Sequence, residues 1–225
     1  LVGGVGNSNA KDVTNWDEPD IEAFEVLEQI IMRTYELGGR VHIWDGGDND
    51  HKLTWNSAPT GWMGTQHKRY IRYLAARLGA LPGWTLAPGY DLEEWLTDTK
   101  AGDWADELHK YLGWEHMVCA RRITNSSLDF LSYSYLGHDY GDATSHLDAD
   151  VNRPHFAGER DLYLRDDFDW GGFPNGLISM DQTRRQMWQF AMAGGYGGSW
   201  GRLWDDGDYY PNPEQLIAHS KFWKD

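Results

Sequence analysis

Three acidic residues stand where parallel β-strands are predicted to end. Glu159 directly follows the apolar run 154–158, Asp91 follows the strand-like run 84–87, and Glu94 comes three residues after Asp91. Carboxyl groups on different strands can face each other across a cleft, one protonated as an acid and one ionised. Because glycosidic bond cleavage needs such a pair, Glu159 and Asp91 are the predicted catalytic residues, with Glu94 as the next candidate acid.

Glu93 is a further candidate acid beside Glu94, although both lie at a predicted helix start, where acids also stabilise the helix dipole. Other side chains at or near strand ends are predicted to bind a substrate. They are His42, Trp44, Arg121, Tyr133, Tyr135, His138 and Trp200. Tyr133 and Tyr135 alternate along one strand, so both are expected on one face, within reach of the nucleophile. For His42, Arg121 and the similarly placed His116, a purely structural polar role is the alternative.

Aromatic residues are abundant, with 13 Trp and 12 Tyr in 225 residues. Indole rings offer flat apolar faces and an N–H donor, which suit the faces and hydroxyl groups of sugars. Trp55, Trp62, Trp170 and Trp204 lie in stretches rich in Gly and Asp, and are therefore predicted to be exposed. The alternative is that a large barrel simply buries its tryptophans.

Two Asp-rich segments, 45–50 and 137–142, bring hard oxygen donors together, as Ca²⁺ prefers. Neither has the spacing of an EF-hand, so both are interpreted as polar rim loops, with structural calcium as the alternative. No His pair has the spacing of zinc ligands on one element, and no catalytic metal or other cofactor is predicted.

The elements that position these residues alternate between helix and strand. Helices are predicted over 20–37, 66–79, 103–112, 181–193 and 213–223, and strands over 40–44, 84–87, 115–120, 128–135, 154–158 and 194–200. Asp20 is the predicted N-cap of the first helix, and Gly38-Gly39 are predicted to end it. Such alternation predicts parallel β/α units. A closed (β/α)8 barrel needs eight strands, so we expect one barrel domain over 1–225 that lacks its first one or two strands. An open doubly wound sheet is the alternative, but its glycine-rich phosphate loop is missing.

The net charge of −15 argues against nucleic acid as a partner and disfavours anionic membranes. No apolar run of about 18 residues is present, so no membrane span is predicted. The single cysteine, Cys119, excludes an internal disulfide and is expected to be a small buried residue. We expect a secreted, periplasmic or cell-surface protein, whose targeting segment lies outside the sequence or has been removed.

Two stretches carry a resemblance to a known group. The run 153–159 (Arg-Pro-His-Phe-Ala-Gly-Glu), followed by 184–201 with its Gly-Gly-Tyr-Gly-Gly-Ser-Trp-Gly end, resembles the last third of clan-A-type glycoside hydrolases. Within that clan it is most similar to the apiosidase-like group of bacterial polysaccharide-degrading barrels. The runs 73–79 and 83–91 resemble the helix and fourth strand of the same group.

The resemblance implies a (β/α)8 barrel acting on a polysaccharide or oligosaccharide with retention of configuration, with Glu159 as the nucleophile and Asp91 as the acid/base. The chain departs from many clan-A enzymes at the fourth strand, where it has Gly-Tyr-Asp91 in place of Asn-Glu. That difference leaves the acid less well defined than the nucleophile.

Two other functions are compatible with the same residues. A catalytically inactive barrel would use a Trp-rich cleft to bind carbohydrate or to serve as a structural subunit. A polysaccharide lyase would need a Tyr or His base beside a charge-neutralising Arg, and Arg121, Arg122, Arg153 and Arg160 are the candidates for that cation.

Overall fold

The computed structural model describes residues 16–46, 55–89, 92–134, 140–159, 180–197 and 213–224. The chain divides into two compact units, Leu1–Leu131 and Ser132–Asp225, and each is presented here by itself. The expectation of one domain stays a prediction. Several predicted site or loop residues lie outside the described residues: Asp91, Tyr135, His138, Arg160, Trp170, Trp200 and Trp204.

Helix α1 spans Ile21–Glu36 and has the ends that the sequence predicts. The Asp20 carboxylate accepts a hydrogen bond from the Ala23 amide at 3.0 Å, which satisfies one of the unpaired N–H groups of the first turn. At the other end, Gly38 has a φ of 82°, a left-handed conformation that costs glycine little. Both predicted signals are confirmed.

The rest of the first unit repeats the strand–helix pattern. Strand β1 covers Val41–Trp44, α2 Thr65–Leu78, β2 Trp84–Ala87 and α3 Asp98–His109, with short 3₁₀ turns at Trp55–Ser57 and Leu92–Glu94. Strands β1 and β2 are parallel, with Val41 opposite Trp84 and Trp44 opposite Ala87. The two strands and α2 confirm the prediction to within one residue at each end.

Helices α1, α2 and α3 pack together on one face of this small sheet. Buried side chains from the helices, such as Ile31, Leu74 and Leu108, share one hydrophobic cluster with Ile43 and Leu86 of the strands. Because side chains alternate along a strand, His42 and Trp44 on β1 and Thr85 on β2 stand on the opposite face. The sheet therefore has one face covered by these helices and one face that carries polar and aromatic side chains.

The strand predicted over 115–120 is wrong, because only Val118 pairs with β2. The Leu86 amide donates to the Met117 carbonyl and the Cys119 amide donates to the Leu86 carbonyl, which forms a single parallel bridge. On its other side Val118 is bound by Asp129, whose carboxylate accepts from the Val118 amide at 2.7 Å. Cys119 is fully buried, as predicted.

Two predicted boundaries on either side of this segment are also wrong. Helix α3 begins five residues earlier than predicted, because Thr97 caps it by accepting from the Lys100 amide at 3.3 Å. Strand β3 covers Leu131–Ser134 and starts three residues late. The Asn125 carbonyl accepts from the Leu128 amide, so the chain is still turning at 128.

The second unit contains β3, α4 (Tyr140–Asp148), β4 (His155–Glu159), α5 (Met180–Ala193), β5 (Tyr196–Gly197) and α6 (Pro213–Lys224). Its strands lie in the order β3-β4-β5, and β4 and β5 are parallel, with Phe156 opposite Tyr196. Ala143 of α4 and Phe190 of α5 pack with Ala157 of β4 in a second hydrophobic cluster. The predicted strand at 154–158 and the helices at 181–193 and 213–223 are confirmed, each to within one residue.

Helix α4 was not predicted, and it corrects the interpretation of segment 137–142 as a rim or calcium loop. Tyr140, Gly141 and Asp142 form the first turn of the helix, while residues 137–139 lie outside the described residues. A high local content of Gly and Asp therefore marked a helix start here, since Asp favours the first turn of a helix.

Helix packing in the first unit bears on the two predicted architectures. A doubly wound sheet places its helices on both faces, whereas a barrel wall keeps them on one. Buried side chains of α1, α2 and α3 share one cluster with Ile43 and Leu86, which stand on a single face of the two-stranded sheet, and the (β/α)8 barrel stays a prediction. Within the described residues the strands form a two-stranded and a three-stranded sheet, and no closed barrel.

Candidate functional site

The carboxyl ends of β1 and β2 bring the first group of predicted residues together. His42 is bound through Nδ1 to the Thr85 hydroxyl, 2.8 Å away on the neighbouring strand. Its ring lies 6.2 Å from the rings of Trp44 and of Phe130, edge to face with both. Burial lowers the pKa of His42 to about 4, so its ring is neutral at physiological pH. Trp44 is 43% exposed, which leaves its ring accessible at the strand end.

Asp45, the residue after β1, is buried and bound to α2. Its carboxylate accepts a hydrogen bond from the hydroxyl group of Tyr70, and burial raises the pKa of this carboxyl to about 6. The interpretation of segment 45–50 as a polar rim loop is therefore wrong for Asp45, whose side chain belongs to the interior. Residues 47–50 lie outside the described residues. Sequence reasoning missed the pair, since nothing in the pattern around Tyr70 separates it from an ordinary core aromatic.

Arg121 and Glu93 meet beyond the end of β2. One Oε atom of Glu93 lies 3.4 Å from Nη2 of buried Arg121 and 3.2 Å from Nη1 of Arg122. Arg122 has a φ of 56°, a backbone conformation that is uncommon outside glycine. The two guanidinium groups thus hold the turn Leu92–Glu94, which directly follows Asp91. Glu94 is exposed on the same turn.

Trp55 corrects the prediction that loop tryptophans are exposed. Its indole is 2% exposed and stacks on the His67 ring at 4.4 Å. Trp62 packs against His67 at 4.7 Å and against Trp95 at 5.6 Å, and both of these indoles are half-buried. Trp55 and His67 therefore belong to the core, whereas Trp62 and Trp95 reach the surface.

His116 lies at the opposite end of the strands from the predicted site. Its Nε2 atom is 2.9 Å from the Gly79 carbonyl oxygen, and its ring stacks on Trp84, the first residue of β2, at 3.9 Å. Since function in β/α folds of this kind lies at the carboxyl ends of strands, this geometry favours the structural role for His116.

In the second unit, Glu159 is the last residue of β4, and so stands at the carboxyl end of a parallel strand. Tyr133 on neighbouring β3 donates its hydroxyl to the carbonyl of His146, 3.4 Å away, and stacks on His155 at 5.5 Å. Burial raises the pKa of Tyr133. The expectation that Tyr133 or Tyr135 lies within reach of the Glu159 carboxylate stays a prediction.

No group of His, Cys, Asp and Glu side chains in the described ranges is arranged to hold a metal ion. In the same ranges, every helix is too short or too polar to cross a bilayer.

Each unit contains parallel strands that alternate with helices, an arrangement that glycoside hydrolases share with many other β/α proteins. Solved structures of proteins described as glycoside hydrolases are similar to this chain. One is a protein from Bacteroides vulgatus ATCC 8482 that is assigned as a glycoside hydrolase. Its structure aligns with a TM-score of 0.65 at 15% sequence identity, and the alignment covers 87% of this chain and 39% of that protein. Another glycoside hydrolase gives 0.57 at 15% identity, over 86% of this chain and 49% of its own.

A glycoside hydrolase family 5 protein from Bacteroides vulgatus ATCC 8482 gives a TM-score of 0.57 at 13% identity, over 85% of this chain and 45% of its own. This chain thus spans less than half the length of each of these three proteins. No family model matches the sequence, and no curated protein matches it either. At these identities the likeness establishes a shared fold, that of glycoside hydrolases.

Proposed function

We propose that this chain is part of a glycoside hydrolase that cleaves a polysaccharide or oligosaccharide with two carboxyl groups. The observation that carries the proposal is the place of Glu159 at the carboxyl end of β4, in a fold shared with glycoside hydrolases. In such barrels the catalytic residues come from the carboxyl ends of different strands. We further propose a (β/α)8 barrel of the apiosidase-like group, acting outside the cytoplasm.

In the proposed reaction Glu159 attacks the anomeric carbon while Asp91 gives its proton to the leaving oxygen. The bond from sugar to leaving group breaks as the bond from sugar to Glu159 forms. Asp91 then removes a proton from water, which displaces Glu159 and restores both residues with overall retention. Retention requires carboxyl groups about 5–5.5 Å apart. Glu94 is the alternative acid, whereas the carboxylate of Glu93 is already engaged by two guanidinium groups.

The accessible ring of Trp44 suits a sugar substrate, because an indole stacks on the apolar face of a pyranose or furanose. His42, whose Nδ1 atom is bound to Thr85, packs edge to face against the Trp44 ring. The arginines favour hydrolysis over a lyase reaction. Arg121 and Arg122 contact Glu93, and Arg153 forms an ion pair with Asp150 at 2.7 Å, so each described candidate cation faces a carboxylate.

The proposal is tested by a screen of plant, algal and bacterial polysaccharides with the protein and its Glu159→Gln variant. We expect the variant to lose activity by on the order of 10⁴-fold, because an amide does not form the glycosyl ester. Glu25→Gln, an exposed position on α1, is the matched control and should retain full activity. Anomer analysis of the first product by NMR should show retention.

Activity that survives Glu159→Gln would remove the nucleophile assignment. A wild-type protein that binds a polysaccharide tightly and never cleaves it would instead identify the inactive carbohydrate-binding alternative. Asp91→Asn and Glu94→Gln, compared in the same assay, decide which residue is the acid.

A further inference from the structure

Asp45 and Tyr70 form a buried polar pair that the proposed reaction does not use. Asp45 is 4% exposed and Tyr70 is 2% exposed, and the Tyr70 hydroxyl donates to the Asp45 carboxylate. Asp45 is the first residue after β1, and Tyr70 lies in the middle of α2. The hydrogen bond therefore joins the carboxyl end of a strand to the helix that follows it.

The surroundings of this pair are aromatic. The Tyr70 ring lies 4.9 Å from Trp55 and 6.2 Å from Phe24, and Trp55 is in turn stacked on the neutral ring of His67. An apolar pair of the same shape would avoid the cost of removing a carboxyl group from water, and such replacements are often neutral or stabilising. Simple packing therefore does not explain why an aspartate stands here.

Asp45 also makes the last backbone hydrogen bond between β1 and β2. The Asp45 amide donates to the Ala87 carbonyl at 2.9 Å, so β1 stays paired with β2 one residue beyond its end. With the Asp45 side chain held against α2, the alternation of side chains directs Trp44 to the opposite face. A slip or twist at Asp45 would move Trp44 and alter the path of the following loop.

The next residue shows how closely the two strand ends approach. A β-carbon on Gly46 would lie 2.6 Å from the Pro88 carbonyl oxygen, well inside van der Waals contact. Pro88 begins the segment after β2 that leads to Asp91. The position of Asp45 thus sets the starting points of both loops, the one after Trp44 and the one that carries the proposed acid.

We propose that Asp45 and Tyr70 are positioning residues, which hold Trp44 and the first residues of the two adjoining loops, Gly46 and Pro88, in register for a sugar ring at this end of the sheet. The role in sugar binding rests on the proposed function. The structural part of this proposal, that the pair holds the carboxyl end of β1, does not depend on the proposed function.

The structural part, that the pair holds the carboxyl end of β1, is tested by NMR hydrogen exchange of single amides in Tyr70→Phe. The Asp45 amide, bonded to the Ala87 carbonyl, reports the carboxyl end of β1, and the Val41 amide, bonded to the Gly83 carbonyl, reports its start. We expect exchange at Asp45 to accelerate on the order of tenfold relative to Val41 once the buried carboxylate loses its donor.

Tyr73→Phe is the matched control. Tyr73 lies on the same helix, packs on Phe24 at 5.0 Å, and accepts from Arg77 Nη1 at 2.9 Å, remote from the strand end. It should leave the ratio of the two exchange rates unchanged. An unchanged ratio in Tyr70→Phe, or an equal change in Tyr73→Phe, would overturn the proposal. If Tyr70→Phe does not fold, Asp45→Asn and Asp45→Ala replace it in the same experiment. Asp45→Asn keeps the shape and an acceptor oxygen, so its ratio of Asp45 to Val41 exchange rates should rise less than that of Asp45→Ala.

The sugar-binding part is tested by steady-state kinetics on the substrate found in the polysaccharide screen. Tyr70→Phe should raise KM severalfold with a smaller change in kcat, in the same direction as Trp44→Ala, while Tyr73→Phe leaves both constants unchanged. A fall in kcat alone would refute positioning of the sugar. Because hydrogen exchange needs no substrate, failure to find any cleaved glycan would count against the proposed function and not against the pair.

Discussion

Burial sets the protonation state of the ionisable side chains around the end of β1. It lowers the pKa of His42 to about 4 and that of His67 to about 3, so both imidazoles are neutral near pH 7. It raises the pKa of Asp45 to about 6 and also raises that of Tyr70. Of these four groups, Asp45 is therefore the one that changes its charge in the mildly acidic pH range.

The first prediction concerns the pH dependence that Asp45 contributes to stability. Its pKa is about 6 in the folded protein against an ordinary value of 3.8, so between these values the folded state holds a proton that the unfolded state has released. The contribution of Asp45 is therefore greatest below pH 3.8 and declines as the pH rises through about 6.

Urea unfolding of the wild type and of Asp45→Asn at a series of pH values checks this prediction. The free energy of unfolding of the wild type minus that of the variant should fall as the pH rises through this window. A difference that is independent of pH, or that increases with pH, would contradict it.

Residue-level expectations from sequence succeeded where a local rule decides the outcome. Asp20 caps α1 because a carboxylate satisfies an adjacent amide, and Cys119 is buried because a small apolar side chain suits a packed segment. Trp55 failed because its neighbours in sequence, Gly and Asp, do not reveal that the ring folds back onto His67. Contacts between distant residues decide burial, and composition does not contain them.

At the scale of elements, the N-cap of α1 offers a direct prediction. Asp20→Ala removes the acceptor for the Ala23 amide and should destabilise the first unit by about 1 kcal/mol. Asp20→Ser, which keeps an oxygen acceptor, should recover most of the loss. Thermal or urea denaturation measures both variants, and equal stability of Asp20→Ala and wild type would contradict the role of the cap.

A second prediction at this scale concerns the connection between α3 and the segment after it. The Nε2 atom of His109 at the end of α3 lies 3.1 Å from the Asp129 carboxylate, whose hydrogen bond raises the pKa of His109 above its ordinary value of 6.5. The stabilisation is fully present below pH 6.5 and is lost as the pH rises through the raised value. Relative to His109→Asn, the stability advantage of the wild type should therefore shrink on the alkaline side.

His219 on α6 provides a contrast within the same chain. Burial lowers the pKa of its ring, so the sign is reversed and its contribution to stability grows as the pH rises. Urea titrations of His109→Asn and His219→Asn in parallel would distinguish the two cases. The same pH trend in both variants would show that the hydrogen bond to Asp129 has no effect on His109.

Elements with a clear period were the most predictable from sequence. Strand β2 buries its apolar residues Trp84, Leu86 and Ala87, and helix α5 buries Phe190 in the second hydrophobic cluster. The strand expected at 115–120 failed because the carboxylate and amide of Asp129 occupy the backbone groups of Val118. Helix α4 was missed because its polar first turn resembles a loop.

At the scale of the whole molecule, the alternation of elements predicted the class of fold, and the likeness to glycoside hydrolases is consistent with it. Helix α2 connects the parallel strands β1 and β2, and connections of this kind are right-handed in nearly all proteins, which determines the face on which the helix packs. The candidate site was less predictable. It depends on which strand ends adjoin in space, and sequence specifies each strand end separately.

The single cysteine of the chain has a practical consequence. Cys119 is completely buried beside β2, and its amide is bonded to the Leu86 carbonyl. A thiol reagent in native buffer can therefore react only when that part of the first unit opens, and the rate of alkylation measures how often it does. Slow alkylation that accelerates in urea in step with loss of the fold is the expected result. Prompt labelling of the native protein would contradict the burial of Cys119. The chain thus contains its own reporter of local opening, without an engineered label.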